Sequence, residues 1–69
     1  MQKTGLRVGD KIKYKNGGAI YTVVIINSDD TVFARIHKND FGELPNSITL
    51  WRLNLNFCES VYSVKAKIL

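Results

Sequence analysis

Hydrophobic and polar residues alternate along most of this chain with a period of two, the spacing of a β-strand that buries one face. The pattern is clearest at 11–15, where Ile12 and Tyr14 share one side and three lysines share the other. The segment 19–27 is instead dense in β-branched and aromatic residues, which is typical of a central strand covered on both faces. The pattern predicts strands at 11–15, 19–27, 31–38, 47–57 and 61–68.

Turn-forming residues separate these segments. Asn16-Gly17-Gly18 joins the first two strands, and these residues tolerate positive φ, so they predict a tight hairpin. Asn, Ser and Asp at 27–30 predict the next turn. The segment 39–46 contains Gly42 and the single proline, Pro45, and is predicted to be a surface loop of the kind that often carries function.

The segment 47–57 changes phase in its middle. Ile48 and Leu50 share one parity, whereas Trp51, Leu53 and the later apolar residues share the other. Two devices explain such a slip: a β-bulge, or the end of a strand followed by a single 3₁₀ turn through 53–56. Either one redirects the chain before the last strand.

Five short antiparallel strands would leave two open edges in a flat sheet, and unpaired edges promote aggregation. Pairing of the first strand with the last removes both edges, so the pattern predicts a closed or nearly closed five-stranded barrel. Its predicted interior consists of Ile12, Tyr14, Ile20, Val24, Val32, Ala34, Ile36, Leu50, Leu53, Val64 and Ala66.

Composition sets the class of protein. The chain has 69 residues, 45% of them hydrophobic, which fits one small folded domain with a frayed end at 1–4. Cys58 is the single cysteine, so no internal disulfide can form, and no apolar run approaches the roughly 20 residues of a membrane-spanning helix. We expect a cytoplasmic protein that does not enter membranes.

The inventory of reactive side chains argues against an enzyme. His37, with Asp40 nearby, is the sole candidate base, and Cys58 is expected to be a small buried residue. One His and one Cys fall short of a zinc site, and the acidic residues lack the spacing of a calcium loop. No metal, cofactor or catalytic residue is predicted.

Val8-Gly9-Asp10-Lys11-Ile12, the lysine-rich first strand, the glycine hairpin and the later Trp51-Arg52-Leu53 resemble SH3-like small barrels, including KOW-type and Tudor-like modules. The resemblance covers most of the chain and implies an antiparallel SH3-like barrel. KOW-type modules would imply RNA or ribosome-associated binding, and Tudor-like modules peptide or nucleic-acid binding. An aromatic cage for methylated side chains is not evident as a motif.

Charge suggests a polyanionic partner. The net charge is +4, and pairing of the end strands would gather Lys11, Lys13, Lys15, Lys65 and Lys67 on one outer face. A second surface would carry Tyr21 and Val23 beside Phe33, Arg35, His37, Trp51 and Arg52, whose rings could stack unpaired bases. The alternative readings are lysines that only keep the exterior soluble, and aromatic residues that pack the core or, like Trp51 and Phe57, seal the barrel ends.

Two functions therefore remain open. The first is a non-enzymatic module that binds RNA or single-stranded DNA through these basic and aromatic residues. The second is a protein-interaction module, monomeric or homodimeric, such as the small accessory or inhibitor proteins that phages and mobile elements encode. It would use the aromatic residues and the loop 39–46.

Overall fold

A computed structural model describes residues 1–44 and 46–61, and in these residues the chain forms one antiparallel β-sheet with a single 3₁₀ turn and no α-helix. The predicted all-β class is therefore confirmed. The elements are β1 (Lys11–Tyr14), β2 (Ile20–Ile26), β3 (Thr31–Asn39), β4 (Gly42–Glu43), β5 (Leu50–Asn54), the 3₁₀ turn (Leu55–Phe57) and β6 (Cys58–Ser60).

The strands follow the order β4-β3-β2-β1-β6, and β5 also pairs with β3. Because β2 occupies one edge of β3, β4 and β5 share the other edge, each along a different part of this nine-residue strand. Within the described residues the sheet is open, so strand pairing there does not form the predicted closed five-stranded barrel. The sixth strand arises because part of the predicted loop 39–46 folds back on β3 as a short hairpin at Gly42.

On the side away from β2, β1 pairs with β6, with Lys13 opposite Glu59 and Tyr14 opposite Cys58. The sequence predicts instead that the segment 61–68, which contains Lys65 and Lys67, pairs with the first strand. Residues 62–69 lie outside the described part of the chain, and Val61 follows β6 with its N–H donating to Lys11 O at 3.0 Å. The structure therefore places Glu59, and not a lysine, beside Lys13.

A small core lies on one side of this sheet. Seven residues are buried in one cluster: Ile12, Val23, Val32, Ala34, Leu53, Leu55 and Cys58. Tyr14 and Tyr21 pack against this cluster and contact each other edge to face. The cluster draws on β1, β2, β3, β5, the 3₁₀ turn and β6. A single sheet can bring all of these together only by curling, which is what strongly twisted strands favour.

The predicted interior is correct at Ile12, Val32, Ala34 and Leu53 and wrong at two positions. Val23 is buried in place of Val24, because it lies opposite the buried Ala34 and the β2–β3 register shifts immediately after it, between Val23 and Ile25. A β-bulge of this kind moves the following side chains to the other face.

Leu50, the second wrong position, is 44% exposed, because its parity places it opposite Arg35 on the outer side. Tyr14, Ile20 and Ile36 are half-buried, and Val64 and Ala66 lie outside the described residues. Trp51 and Phe57 do not seal the interior, since 51% and 63% of their surfaces are exposed.

The change of phase between Leu50 and Trp51 separates exposed from buried apolar residues, since Ile48 and Leu50 are exposed whereas Leu53 and Leu55 are buried. The β3–β5 register is regular, so the bulge alternative is wrong for β5, and the predicted 3₁₀ turn is present slightly later than predicted, at Leu55–Phe57. Asn54 caps the turn by accepting the Asn56 N–H at 2.9 Å, and the Leu55 N–H donates to Asp30 O at 2.7 Å. Leu55 and Cys58 thereby enter the core, which strand parity alone does not reveal.

The glycines of the β1–β2 connection do not adopt positive φ, and another side chain lies close to one of them. Positive φ is found at Gly5, Gly9 and Gly42, so the predicted conformation of Gly17 and Gly18 is wrong. Five residues join the two strands, and the Gly17 N–H closes a turn on Tyr14 O. A Cβ at Gly18 would lie 2.0 Å from the Asp40 carboxylate, so this glycine makes room for the end of β3.

The segment 1–4, predicted as a frayed end, makes contacts with the rest of the fold. The Met1 ammonium donates to Leu55 O at 2.6 Å, and the Met1 side chain packs against the core. The Lys3 ammonium donates to the carbonyls of Asn27, Ser28 and Asp29. Lys3 therefore stabilises the turn before β3.

We expect Leu53→Ala to lower the free energy of unfolding by about 2–5 kcal/mol, because Leu53 is fully buried in a core of only seven side chains. Urea denaturation followed by circular dichroism measures this change. Ile48→Ala, at a position that is 85% exposed, is the matched control and should change stability by less than about 0.5 kcal/mol. Equal effects of the two substitutions would contradict the assigned core.

Candidate functional site

Cross-strand partners lie on the same side of a sheet, so the register identifies which polar residues share a face. Lys11 lies opposite Thr22, Thr22 opposite Arg35, and Arg35 opposite Leu50. A second row runs from Ile25 through Phe33 to Arg52. We call these two rows together the outer face: Lys11, Thr22, Arg35, Leu50, Ile25, Phe33 and Arg52.

The outer face combines cations with apolar side chains. Arg35 and Arg52 flank Phe33, and all three lie on the side of β3 and β5 that faces away from Val32, Ala34 and Leu53. Phe33 is half-buried between neighbouring strands, whereas both arginines are exposed. An aromatic ring that shares a face with two arginines is suited to binding nucleic acid, because the ring can stack on a base while the guanidinium groups contact phosphates.

Trp51 does not lie with Phe33 and Arg35. It lies opposite Ala34, whose side chain is in the core, so Trp51 belongs to the inner side of the sheet at its β5 edge. The prediction that Trp51 and Phe33 share one surface is therefore wrong. The phase of β5 decides this, because Trp51 and Arg52 must point to opposite sides of the strand.

The lysines are less concentrated than predicted. Lys11 and Lys13 share one side of β1, and Lys15 follows the strand and is exposed. The Lys13 ammonium lies 3.6 Å from the Glu59 carboxylate on β6, which offsets its charge. Lys65 and Lys67 lie outside the described residues, so a five-lysine cluster is not observed.

Arg52 is likewise paired. Its guanidinium lies 3.2 Å from the Asp29 carboxylate, which also accepts hydrogen bonds from the Thr31 hydroxyl and N–H. The hydrogen bond from the Thr31 hydroxyl, aided by Arg52, lowers the pKa of Asp29 below its ordinary value. Asp29 is therefore ionised at neutral pH. Within residues 1–44 and 46–61, by contrast, neither Lys11 nor Arg35 makes an ion pair.

His37 lies at a second irregularity of the β2–β3 pair. Ile20 pairs with Lys38 and Tyr21 pairs with Ile36, so His37 is the extra residue of a bulge. Its side chain lines a shallow pocket together with Arg35 and Thr22, and Leu44 and Ser47 of the following loop form the opposite wall. Sequence reasoning missed Thr22, Leu44 and Ser47, because only the tertiary fold brings the loop to β3.

Cys58 is buried, as predicted. Its thiol donates to Asn54 O at 3.3 Å, and burial raises the pKa of the thiol above its ordinary value. The thiolate, which is the nucleophilic form, is thus disfavoured in the folded protein. Cys58 acts as part of the core.

Across the described ranges, no three His, Cys, Asp or Glu side chains come together as ligands for a metal ion. No helix in this part of the chain has the length and apolarity needed to cross a membrane.

In comparisons with known proteins, no family model, curated protein or solved structure matches this chain.

We expect the stability of the protein to decline at alkaline pH through Cys58. Because the pKa of the thiol is raised in the folded state, the unfolded chain loses this proton first. The contribution is intact below the ordinary thiol pKa of about 8.5 and falls above it, by at most about 1.4 kcal/mol per pH unit. Urea denaturation between pH 7 and 9.5 measures the decline.

Cys58→Ala is the control for this titration. The variant should be less stable at pH 7 but show a flatter profile up to pH 9.5, where the raised pKa of Tyr21 has little influence. Parallel profiles for the two proteins would show that Cys58 does not titrate with unfolding.

Proposed function

We propose that this chain is a non-enzymatic binding module that engages RNA or single-stranded DNA through the outer face. The observation that carries the proposal is the shared face of Lys11, Arg35, Phe33 and Arg52, which the strand register defines. Cations close to an accessible aromatic ring are the combination that single-stranded nucleic acids use, since phosphates need charge and unpaired bases need a stacking partner.

Electrostatics supports this partner. The chain carries ten Lys and Arg residues against six Asp and Glu. Within the described part of the chain, the two ion pairs involve Lys13 and Arg52, which leaves Lys11 and Arg35 as the cations of the outer face that could neutralise phosphates directly. Binding should therefore be strongly dependent on salt, because each neutralised phosphate releases condensed counterions.

We propose further that the chain adopts an SH3-like small-barrel fold, related in its design to KOW-type and Tudor-like modules. Three features support this: the strand order in which β1 lies between β2 and β6, the 3₁₀ turn between β5 and β6, and one core shared by all of these elements. The proposal for the fold does not depend on the ligand.

A protein-interaction module is the second candidate. Phe41 is 97% exposed at the β3–β4 turn, and Ile48 and Leu50 are exposed at and before β5. Large exposed apolar side chains are typical of surfaces that a partner covers. A complex or homodimer that forms at high salt, measured by light scattering at two protein concentrations, would favour this candidate over nucleic-acid binding.

We expect a fluorescent oligouridylate or oligothymidylate to bind with micromolar affinity at low salt, and Arg35→Ala to weaken binding about fivefold. The slope of log affinity against log salt should fall by roughly 0.7, the value for one phosphate on a single strand. Fluorescence anisotropy over a salt series gives both quantities.

Arg7→Ala is the matched control for Arg35→Ala. It removes the same charge from an exposed turn before β1 that is not part of the outer face as defined above, and should change affinity less than twofold. Absence of micromolar binding by the unmodified protein at low salt would refute the proposed function.

We expect Asp29→Asn to tighten oligonucleotide binding about two- to fivefold, because it releases Arg52 from its ion pair while the Asn oxygen can still accept from Thr31. Asp30→Asn changes the net charge equally, but Asp30 makes no ion pair among the described residues and its carbonyl holds the 3₁₀ turn. If both variants tighten binding to the same extent, net charge and not Arg52 is responsible.

A further inference from the structure

One concave feature of the outer face contains more than strand residues. A pocket of about 200 Å³ lies where the loop after β4 approaches β2 and β3. Among the described residues its lining consists of Thr22, Arg35, Ile36, His37, Leu44 and Ser47. Since a water molecule occupies roughly 30 Å³ of liquid, this volume has room for a tetrahedral oxyanion and part of the group attached to it.

The polar groups of the pocket are hydrogen-bond donors. Arg35 donates from a permanently charged guanidinium, Thr22 and Ser47 from hydroxyls, and an imidazole such as that of His37 has at least one N–H in either protonation state. No acidic side chain is among the described lining residues. The pocket therefore favours an anion.

Among the described residues, these donors have no acceptor within the protein. In residues 1–44 and 46–61, no side-chain hydrogen bond or ion pair involves Thr22, Arg35, His37 or Ser47. Arg52 on the same face differs, because Asp29 already occupies its guanidinium. Donors that converge on a pocket without internal acceptors remain able to bind a ligand.

The wall of the pocket is held in place by the backbone. The Leu44 N–H donates to His37 O at 2.8 Å, and the Ser47 N–H donates to Leu44 O at 3.3 Å. The first bond ties the loop to β3 at the bulge, and the second closes the turn that carries Ser47. Little ordering is then needed when a ligand binds.

We propose that this pocket binds one phosphate group of the nucleotide chain, with Arg35 supplying the charge and Thr22 and Ser47 supplying neutral hydrogen bonds. Ile36 and Leu44 provide an apolar wall for the adjoining sugar. This inference rests on the proposed function and deepens it, because it locates a specific phosphate subsite within an otherwise diffuse basic surface.

The decisive variant removes the two hydroxyls and leaves every charge in place. Thr22→Val combined with Ser47→Ala should weaken binding of the fluorescent oligonucleotide about tenfold, since hydrogen bonds to charged groups are the strong ones. The salt slope should not change, because no cation is lost. Thr4→Val combined with Ser28→Ala, at exposed positions outside the pocket, is the matched control and should bind like the unmodified protein.

A second measurement uses inorganic phosphate and does not depend on an oligonucleotide. In ¹H–¹⁵N correlation spectra at constant ionic strength, phosphate should shift the amides of Thr22, Arg35 and Ser47 in the unmodified protein and in the control, but not in the pocket variant. Urea denaturation of both double variants establishes that each is folded.

The outcomes separate the two proposals. If Arg35→Ala weakens oligonucleotide binding but the hydroxyl variant binds like its control, the phosphate subsite is wrong and the proposed function stands. If phosphate shifts the pocket amides but no oligonucleotide binds, the anion pocket stands and its assignment to a nucleotide chain is wrong. Phosphate shifts spread evenly over all exposed cations would refute the pocket.

Discussion

The pairing of β1 with β6 is the contact on which the rest of the fold depends. It joins a strand near the start of the described chain to the last strand, and Lys15 N–H donating to Phe57 O extends the contact beyond the ladder. This pairing holds Leu55 and Cys58 against the other core residues, which are Ile12, Val23, Val32, Ala34 and Leu53. The 3₁₀ turn makes the pairing possible, because its three residues connect β5, which pairs with β3, to β6, which pairs with β1.

The position of the small core determines which side chains lie on the outer face. The seven buried residues of the described chain come from β1, β2, β3, β5, β6 and the 3₁₀ turn and lie on one side of the sheet, so the opposite side is available for polar side chains. Two register shifts between β2 and β3 then adjust which residues occupy that face. The shift near Val24 follows the buried Val23, and the shift at His37 leaves this residue as the extra residue of a bulge, where it lines the same pocket as Arg35. The candidate site is therefore built from irregularities of the ladder as much as from its regular part.

Charge on this surface is distributed by local pairing and not only by composition. Glu59 and Asp29 each lie beside a cation that the sequence suggests for ligand binding, and they offset Lys13 and Arg52. Arg35 is exposed and lies at the centre of the outer face, next to a pocket whose other donors are neutral. Under the proposed function, Arg35 is the position at which a phosphate is recognised within a modest positive field, a combination that diffuse lysine clusters do not provide.

The sequence by itself determined the all-β class, the approximate bounds of the first three strands and the burial of Ile12, Val32, Ala34, Leu53 and Cys58, because period-two alternation and turn residues are local signals. It also identified Arg35 and His37 as candidate site residues. Only the tertiary structure decided the registers: that Val23 and not Val24 is buried, that Trp51 points away from Phe33, that β1 meets Glu59, and that Ser47 reaches Thr22. Register depends on bulges and on contacts between segments distant in the chain, and a shift of one residue reverses a side chain without altering the alternation from which the strand was predicted.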